Sequence, residues 1–206
     1  MKTDELQRYL AGVLRYFASA VVGVSLVWAF DEKHDVFEKV YSLAWPATAA
    51  FSSWALVGLL AVIGLVTYFV HRIAIHWLVT HLILLSLRRS NPAVPSALDL
   101  DFARWMRRGA VAPNPQRAVQ GALDEINAAA HFLYCSAWAS LLVAGYIYRA
   151  DGEHLNLMPG FTPIVGVLLF LGLVGDIRAA RYDVAAYQKF GATMPNKQME
   201  PTPPGA

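Results

Sequence analysis

Apolar positions along the chain gather into four long runs separated by charged segments, and each run predicts a helix. In the first, residues 16–30 carry no Asp, Glu, Lys or Arg. Leu6, Leu10, Val13, Leu14 and Phe17 lead into it at helical spacing, so a helix is expected from near Asp4. Fifteen uncharged residues fall short of the roughly 20 that cross a bilayer, which places Arg15 just inside the boundary or snorkelling to it. The second run predicts a crossing helix over 47–70, with Pro46 suited to its start, Trp45 at one interface and Tyr68 and Phe69 at the other. The third crosses over 128–148, where Ser136, Ser140 and Ala144 recur every four residues and let a neighbouring helix approach closely. The fourth crosses over 161–178, with Pro163 in its first turn. The pattern predicts an all-α, polytopic membrane protein: four transmembrane helices in a bundle over residues 1–190, followed by a disordered Pro-rich tail over 191–206.

Several apolar stripes outrun the spans. Residues 73–87 lack Asp, Glu, Lys and Arg but are too few to cross alone, so they read as a cytoplasmic extension of the second helix or as an interfacial segment after a bend at His71-Arg72. Flanking stripes are expected to cover an extension: Ile177, Ala180, Val184 and Tyr187 on the fourth helix, and Val119, Ala122, Leu123 and Ile126 on the third. Helices 2, 3 and 4 therefore extend into the cytoplasm. Between Ser90-Asn91-Pro92 and Pro113-Asn114-Pro115, Ser96 and Asp99 mark a capping box that opens an amphipathic helix near 97–108. Leu98, Phe102, Trp105 and Met106 share one face of it, and Arg104, Arg107 and Arg108 take the other. That division assigns Trp105, Arg104, Arg107 and Arg108 to the membrane surface, the alternative being a helix packed on the cytoplasmic bundle.

Charge then fixes an orientation. Fourteen of the 17 Lys and Arg residues and nine of the 15 acids fall on the side of both termini, a face of net +5 that leaves −3 opposite. The positive-inside rule makes the +5 face cytoplasmic. A multi-pass protein of a bacterial inner membrane is expected, both ends cytoplasmic, its partners the lipid bilayer and anionic headgroups of the inner face. A homo-oligomer or a membrane protein partner fits the small-residue faces. Nucleic acid does not, because arginine-rich runs and interleaved basic-aromatic strands are missing. Val27-Trp28-Ala29 loosely matches a signal-cleavage site, but Asp4 and Glu5 stand where a basic leader is expected, so the first helix is read as an anchor. Cys135 is the single cysteine and reads as packing in an apolar helix.

Ionisable residues at membrane depth are the candidates for chemistry. Arg15, His71, Arg72, His131 and Asp176 fall near one depth at the cytoplasmic interface and form a candidate polar cluster, in which Arg15 and Asp176 are expected either to pair or to snorkel independently. His71, His76 and His81 lie five apart, so on an α-helix they point about 140° apart and cannot share a face. Only a cross-helix pair such as His71 with His131 remains for axial haem ligation, and neither a cofactor nor a metal is assigned. No HExxH zinc pattern, nucleophile elbow or phosphate loop occurs, and no catalytic residue is assigned. The expected function is accordingly a non-enzymatic, oligomeric pore-forming or scaffold component of the membrane. The alternative is a membrane-embedded enzyme or redox (haem or quinone) subunit with its site at the cytoplasmic interface.

Overall fold

A computed structural model of the chain describes residues 3–32, 36, 38–39, 53–109, 112, 114–151 and 159–190. The expected start of the second helix at 47 and the Pro-rich tail over 191–206 lie outside the described residues. The protein is all-helical: α1 (Thr3–Phe30), α2 (Ser53–Val70), a π-helical segment (His71–His76), α3 (Trp77–Ser90), α4 (Ala97–Arg108), α5 (Asn114–Asp151) and α6 (Phe161–Phe190). Among the described residues two stretches, Asn114–Arg149 and Phe161–Phe190, are long and apolar enough to cross a membrane, so the expected four crossings are matched by length at two. Two shorter apolar helices, Leu14–Phe30 and Trp54–Val70, accompany them.

The chain divides into two compact units, one of Met1–Val79 with Asn127–Asp176, the other of Thr80–Ile126 with Ile177–Ala206. In the first, Ala20, Val24 and Val27 of α1 present a stripe at spacings of four and three to Ala137, Ala139, Val143 and Ile147 of α5, with Leu60 and Ile63 of α2 and Val165 of α6 completing the core. Glycines set the closest approaches. A Cβ at Gly23 would lie 2.5 Å from Ala139 Cβ, and one at Gly64 would lie 2.5 Å from the Tyr16 carbonyl oxygen. Ser136 and Ser140 are fully buried in this contact, and their hydroxyls donate to the carbonyls of Phe132 and Ala137 on their own helix. The small-residue face of α5 is thus filled by α1 of the same chain.

The stretch 73–87 continues the helix through the π-helical segment without a break. Cover for it is slight. Leu84 alone is buried along α3, against Val94, Leu100 and Val184, while Trp77, Leu78, Leu82 and Leu85 stay exposed. Among the described residues of this segment the flanking helices bury Leu84 fully and cover others, such as Leu87, only in part.

In the second unit α4 opens as the sequence implies. Ser96 accepts from the Asp99 amide at 3.1 Å, and the Asp99 carboxylate accepts from the Ser96 amide at 2.9 Å, a complete capping box. The Ser96 hydroxyl, which donates to Asp99 Oδ2 at 2.5 Å, and then the Ser96 amide hold the Asp99 carboxyl below the usual carboxylate range. A depressed folded-state value means that the contribution is full above about pH 3.9 and disappears as pH falls through that lower value. Ser96→Ala is expected to cost about 1 kcal/mol. Hydrogen exchange of the 97–103 amides checks both, since fraying should accelerate in the variant at neutral pH and in the wild type only in acid.

The orientation of α4 departs from the expectation at Arg107. The buried positions are Leu100, Ala103 and Arg107, at spacings of three and four, whereas Leu98, Phe102 and Trp105 face outward. Arg107 is 1% exposed and forms an ion pair with the fully buried Asp183, with Gln120 Oε1 accepting from its Nε at 3.1 Å. Arg104 donates to the other Asp183 oxygen at 2.7 Å and to Asp101 at 2.9 Å. Arg108 donates to Asp124 at 2.7 Å, and Gln120 ties in through a 2.8 Å bond to the same oxygen. Arg107 is therefore not a headgroup contact: its guanidinium is desolvated inside the unit, and a buried cation needs its counter-charge beside it.

Candidate functional site

The π-helical segment decides which side chains meet. A π-helix bonds residue i to i+5, so positions five apart come onto one turn, where an α-helix would send them to different faces. His71 and His76 open and close such a turn, and both rings reach His131 of α5. The separation of His71 and His76 expected from α-helical spacing is overturned by this change of pitch. Ring centroids lie 5.0 Å apart for His71 and His131, 4.6 Å for His76 and His131 and 6.0 Å for His71 and His76. His131 Nε2 stands 3.4 Å from His76 Nδ1. One nitrogen from each of the three rings falls within 4.8 Å of the others.

Glycine brings α6 to the same place. A Cβ at Gly175 would lie 2.8 Å from Ala130 Cβ, so the absence of a side chain lets α6 close on α5 just where Asp176 follows. Gly172, one turn earlier, leaves room for the Tyr134 ring, whose carbons lie 3.0 Å from where its Cβ would be. Tyr134 in turn stacks on His71 at 4.5 Å with an interplanar angle of 28°. Asp176 Oδ1 comes within 3.7 Å of His76 Nδ1.

Burial makes this group chemically unusual. His71 is fully buried and neither of its nitrogens has a hydrogen-bond partner; Asp176 is 3% exposed and neither carboxylate oxygen has one. Leaving such groups unmatched costs about 1–3 kcal/mol each, more for a carboxylate.

Of the residues singled out by depth, His71, His131 and Asp176 come together here. Arg15 does not join them. It is half-buried and makes no ion pair with Asp176, because at that level α1 packs on α2, with the Tyr16 and Tyr68 rings 3.9 Å apart, while Asp176 meets the π-helical segment. The Arg72 side chain lies outside the described residues. His76 and Tyr134 are additions. Tyr134 lies one turn from His131, but nothing in its sequence context marks it as different from any aromatic residue of an apolar helix. A haem between His71 and His131 does not fit: rings in edge contact leave no gap for a porphyrin plane.

Comparison with protein families, with curated proteins and with solved structures finds no match to this chain.

Proposed function

We propose that the chain is a multi-pass membrane protein with four crossings and both termini cytoplasmic, and that it works as a membrane-embedded enzyme or redox subunit through the buried histidine–aspartate site. The observation that carries the reading is convergence. Four ionisable side chains, His71, His76, His131 and Asp176, drawn from three separate stretches of chain, meet in one place, and two of them, His71 and Asp176, are buried without a hydrogen-bond partner. Side chains that merely tolerate an interface snorkel apart toward water.

The membrane setting rests on exposed apolar surface. Trp54, Val57, Val62, Leu65 and Phe69 of α2 and Val167, Phe170 and Leu171 of α6 are exposed on helices that carry no charge over those stretches, the pattern expected of faces solvated by lipid. Exposed Leu98, Phe102 and Trp105 supply an apolar face on α4 for the headgroup layer, with Arg108 at its edge. Against the oligomeric pore stands the small-residue face of α5, which α1 occupies within the chain.

Native mass of the protein released from mild detergent tests the reading. A single chain carrying a bound quinone or phospholipid is expected, and labelling of single cysteines at positions 2 and 206 from the cytoplasmic side alone. A closed homo-oligomer that conducts ions in planar bilayers would overturn it.

A further inference from the structure

The same site has the donor set of a transition-metal centre, and we propose that His71, His76 and His131, with Asp176 as fourth ligand, bind one divalent first-row ion of the zinc class. This deepens the function proposed above by naming what its site holds, and it rests on that site being where the protein acts.

Distance supports the assignment first. Zinc–nitrogen bonds of about 2.0–2.1 Å at a tetrahedral angle put two ligand nitrogens about 3.3 Å apart. His76 Nδ1 and His131 Nε2 are 3.4 Å apart, long for a hydrogen bond between imidazoles and close to that bite. The nearest nitrogen of His71 completes a triangle no wider than 4.8 Å, so a rotation of its ring brings it into the same coordination sphere. Asp176 Oδ1 lies 3.7 Å from His76 Nδ1, near the same bite, and is the fourth ligand the proposal assigns.

Unsatisfied capacity supports it second. An ion would give a partner to His71, whose two nitrogens have none, and to Asp176, whose two oxygens have none. Donor type narrows the ion. Three imidazoles suit zinc, iron, copper or nickel, whereas magnesium and calcium take oxygen ligands. Three neutral imidazoles and one carboxylate leave a net charge of +1 on a bound divalent ion, which the buried setting tolerates better than a bare pair of charges. The π-helical turn is what makes the set possible, because it alone brings residues 71 and 76 to the same ion.

Cobalt(II) is the probe, since tetrahedral cobalt(II) absorbs strongly in the visible and octahedral aqueous cobalt does not. Chelator-stripped full-length protein in detergent is titrated with CoCl2, then with ZnCl2 in competition. We expect intense visible bands saturating at one cobalt per chain and displaced by zinc. In His131→Gln and His76→Asn the affinity should fall by more than about 100-fold, beyond the 10–100-fold of a change outside the ligand sphere, while His81→Gln binds as the wild type does. Because the wild-type titration stands without any variant, misfolding of one substitution cannot rescue the proposal. Absence of saturable bands, octahedral bands only, or equal binding by His131→Gln overturns it. Native mass of the same samples separates this proposal from the functional one: an oligomeric pore with one metal per chain keeps the metal site and removes the enzyme or redox reading, and a lipid-loaded monomer that takes up no cobalt or zinc does the reverse.

Discussion

Asp183→Ala is expected to destabilise the protein by about 3–5 kcal/mol, the range measured when one member of a buried ion pair is removed. The reason lies in what remains. Arg107 is 1% exposed, and without Asp183 its guanidinium would keep only the neutral Gln120 oxygen at 3.1 Å. Arg104 loses a 2.7 Å bond but retains Asp101 and part of its hydration, its side chain being 20% exposed. Most of the cost therefore falls on Arg107, and a double variant separates the two. Arg107→Met with Asp183→Leu removes both buried charges and fills their space with apolar atoms, so it should recover most of the loss. Arg108, whose side chain is 56% exposed against Asp124, serves as contrast: Arg108→Ala should change stability by less than about 1 kcal/mol. Circular dichroism melts in detergent would show Asp183→Ala lowered by about 10 °C, with the double variant near wild type. A drop for Asp183→Ala no larger than for Arg108→Ala would mean that the pair is hydrated after all.

The same ion pair shows where the sequence was legible and where it was not. Capping at Ser96 and Asp99 could be read directly, because a side chain and an amide three residues apart need nothing else to find each other. So could the α6 stripe, in which Ala180 and Val184 are buried and Tyr187 packs against the cluster that holds Val184. Periodicity names a face without naming what covers it. On α4 the aromatic residues and the three arginines divide into two faces, yet Leu100, Ala103 and Arg107 repeat at three and four as a further stripe, and an arginine on that stripe is the signal that a buried acid waits opposite. On α5 the spacing of Ser136, Ser140 and Ala144 correctly marked a close approach. That the approaching helix is α1 of the same chain follows from Gly23, whose role no pattern in its own helix reveals.

The histidines were hidden for a different reason. Every projection of side-chain direction assumes a pitch, and 100° per residue sends His71 and His76 apart. One π-helical turn changes the pitch locally and brings them together, at a cost in hydrogen-bond geometry that a helix rarely bears away from a functional position. Depth along the chain was enough to choose His71, His131 and Asp176, since it depends only on counting from the ends of apolar runs. It could not exclude Arg15, because depth says nothing of which side of a helix a residue occupies.

Gly23→Val carries the second large effect, about 3 kcal/mol, at the upper end of what overpacking a filled contact costs. The Cβ it introduces would meet not only Ala139 Cβ at 2.5 Å but also the Ser136 carbonyl oxygen at 2.8 Å and the Ser140 amide nitrogen at 2.9 Å. Backbone atoms cannot rotate out of the way as a side-chain end can, so α1 must move off α5 bodily. That movement also opens the core formed by Ala20, Val24 and Val27 against Ala137 and Val143. Gly121 provides the opposite sign. Nothing lies within 4 Å of a Cβ built there, so Gly121→Ala adds only the helix preference of alanine and should stabilise α5 by about 0.5–1 kcal/mol. Substitutions of glycine in a helix thus divide by what stands opposite, not by the residue lost. Paired melts of the two variants test this, and because α1 does not supply the histidine–aspartate site, cobalt binding offers a finer reading: Gly23→Val protein that remains folded should still bind one ion per chain. A Gly23→Val melt equal to wild type would show that α1 and α5 stand farther apart than this contact requires, and would return the small-residue face of α5 to a partner outside the chain.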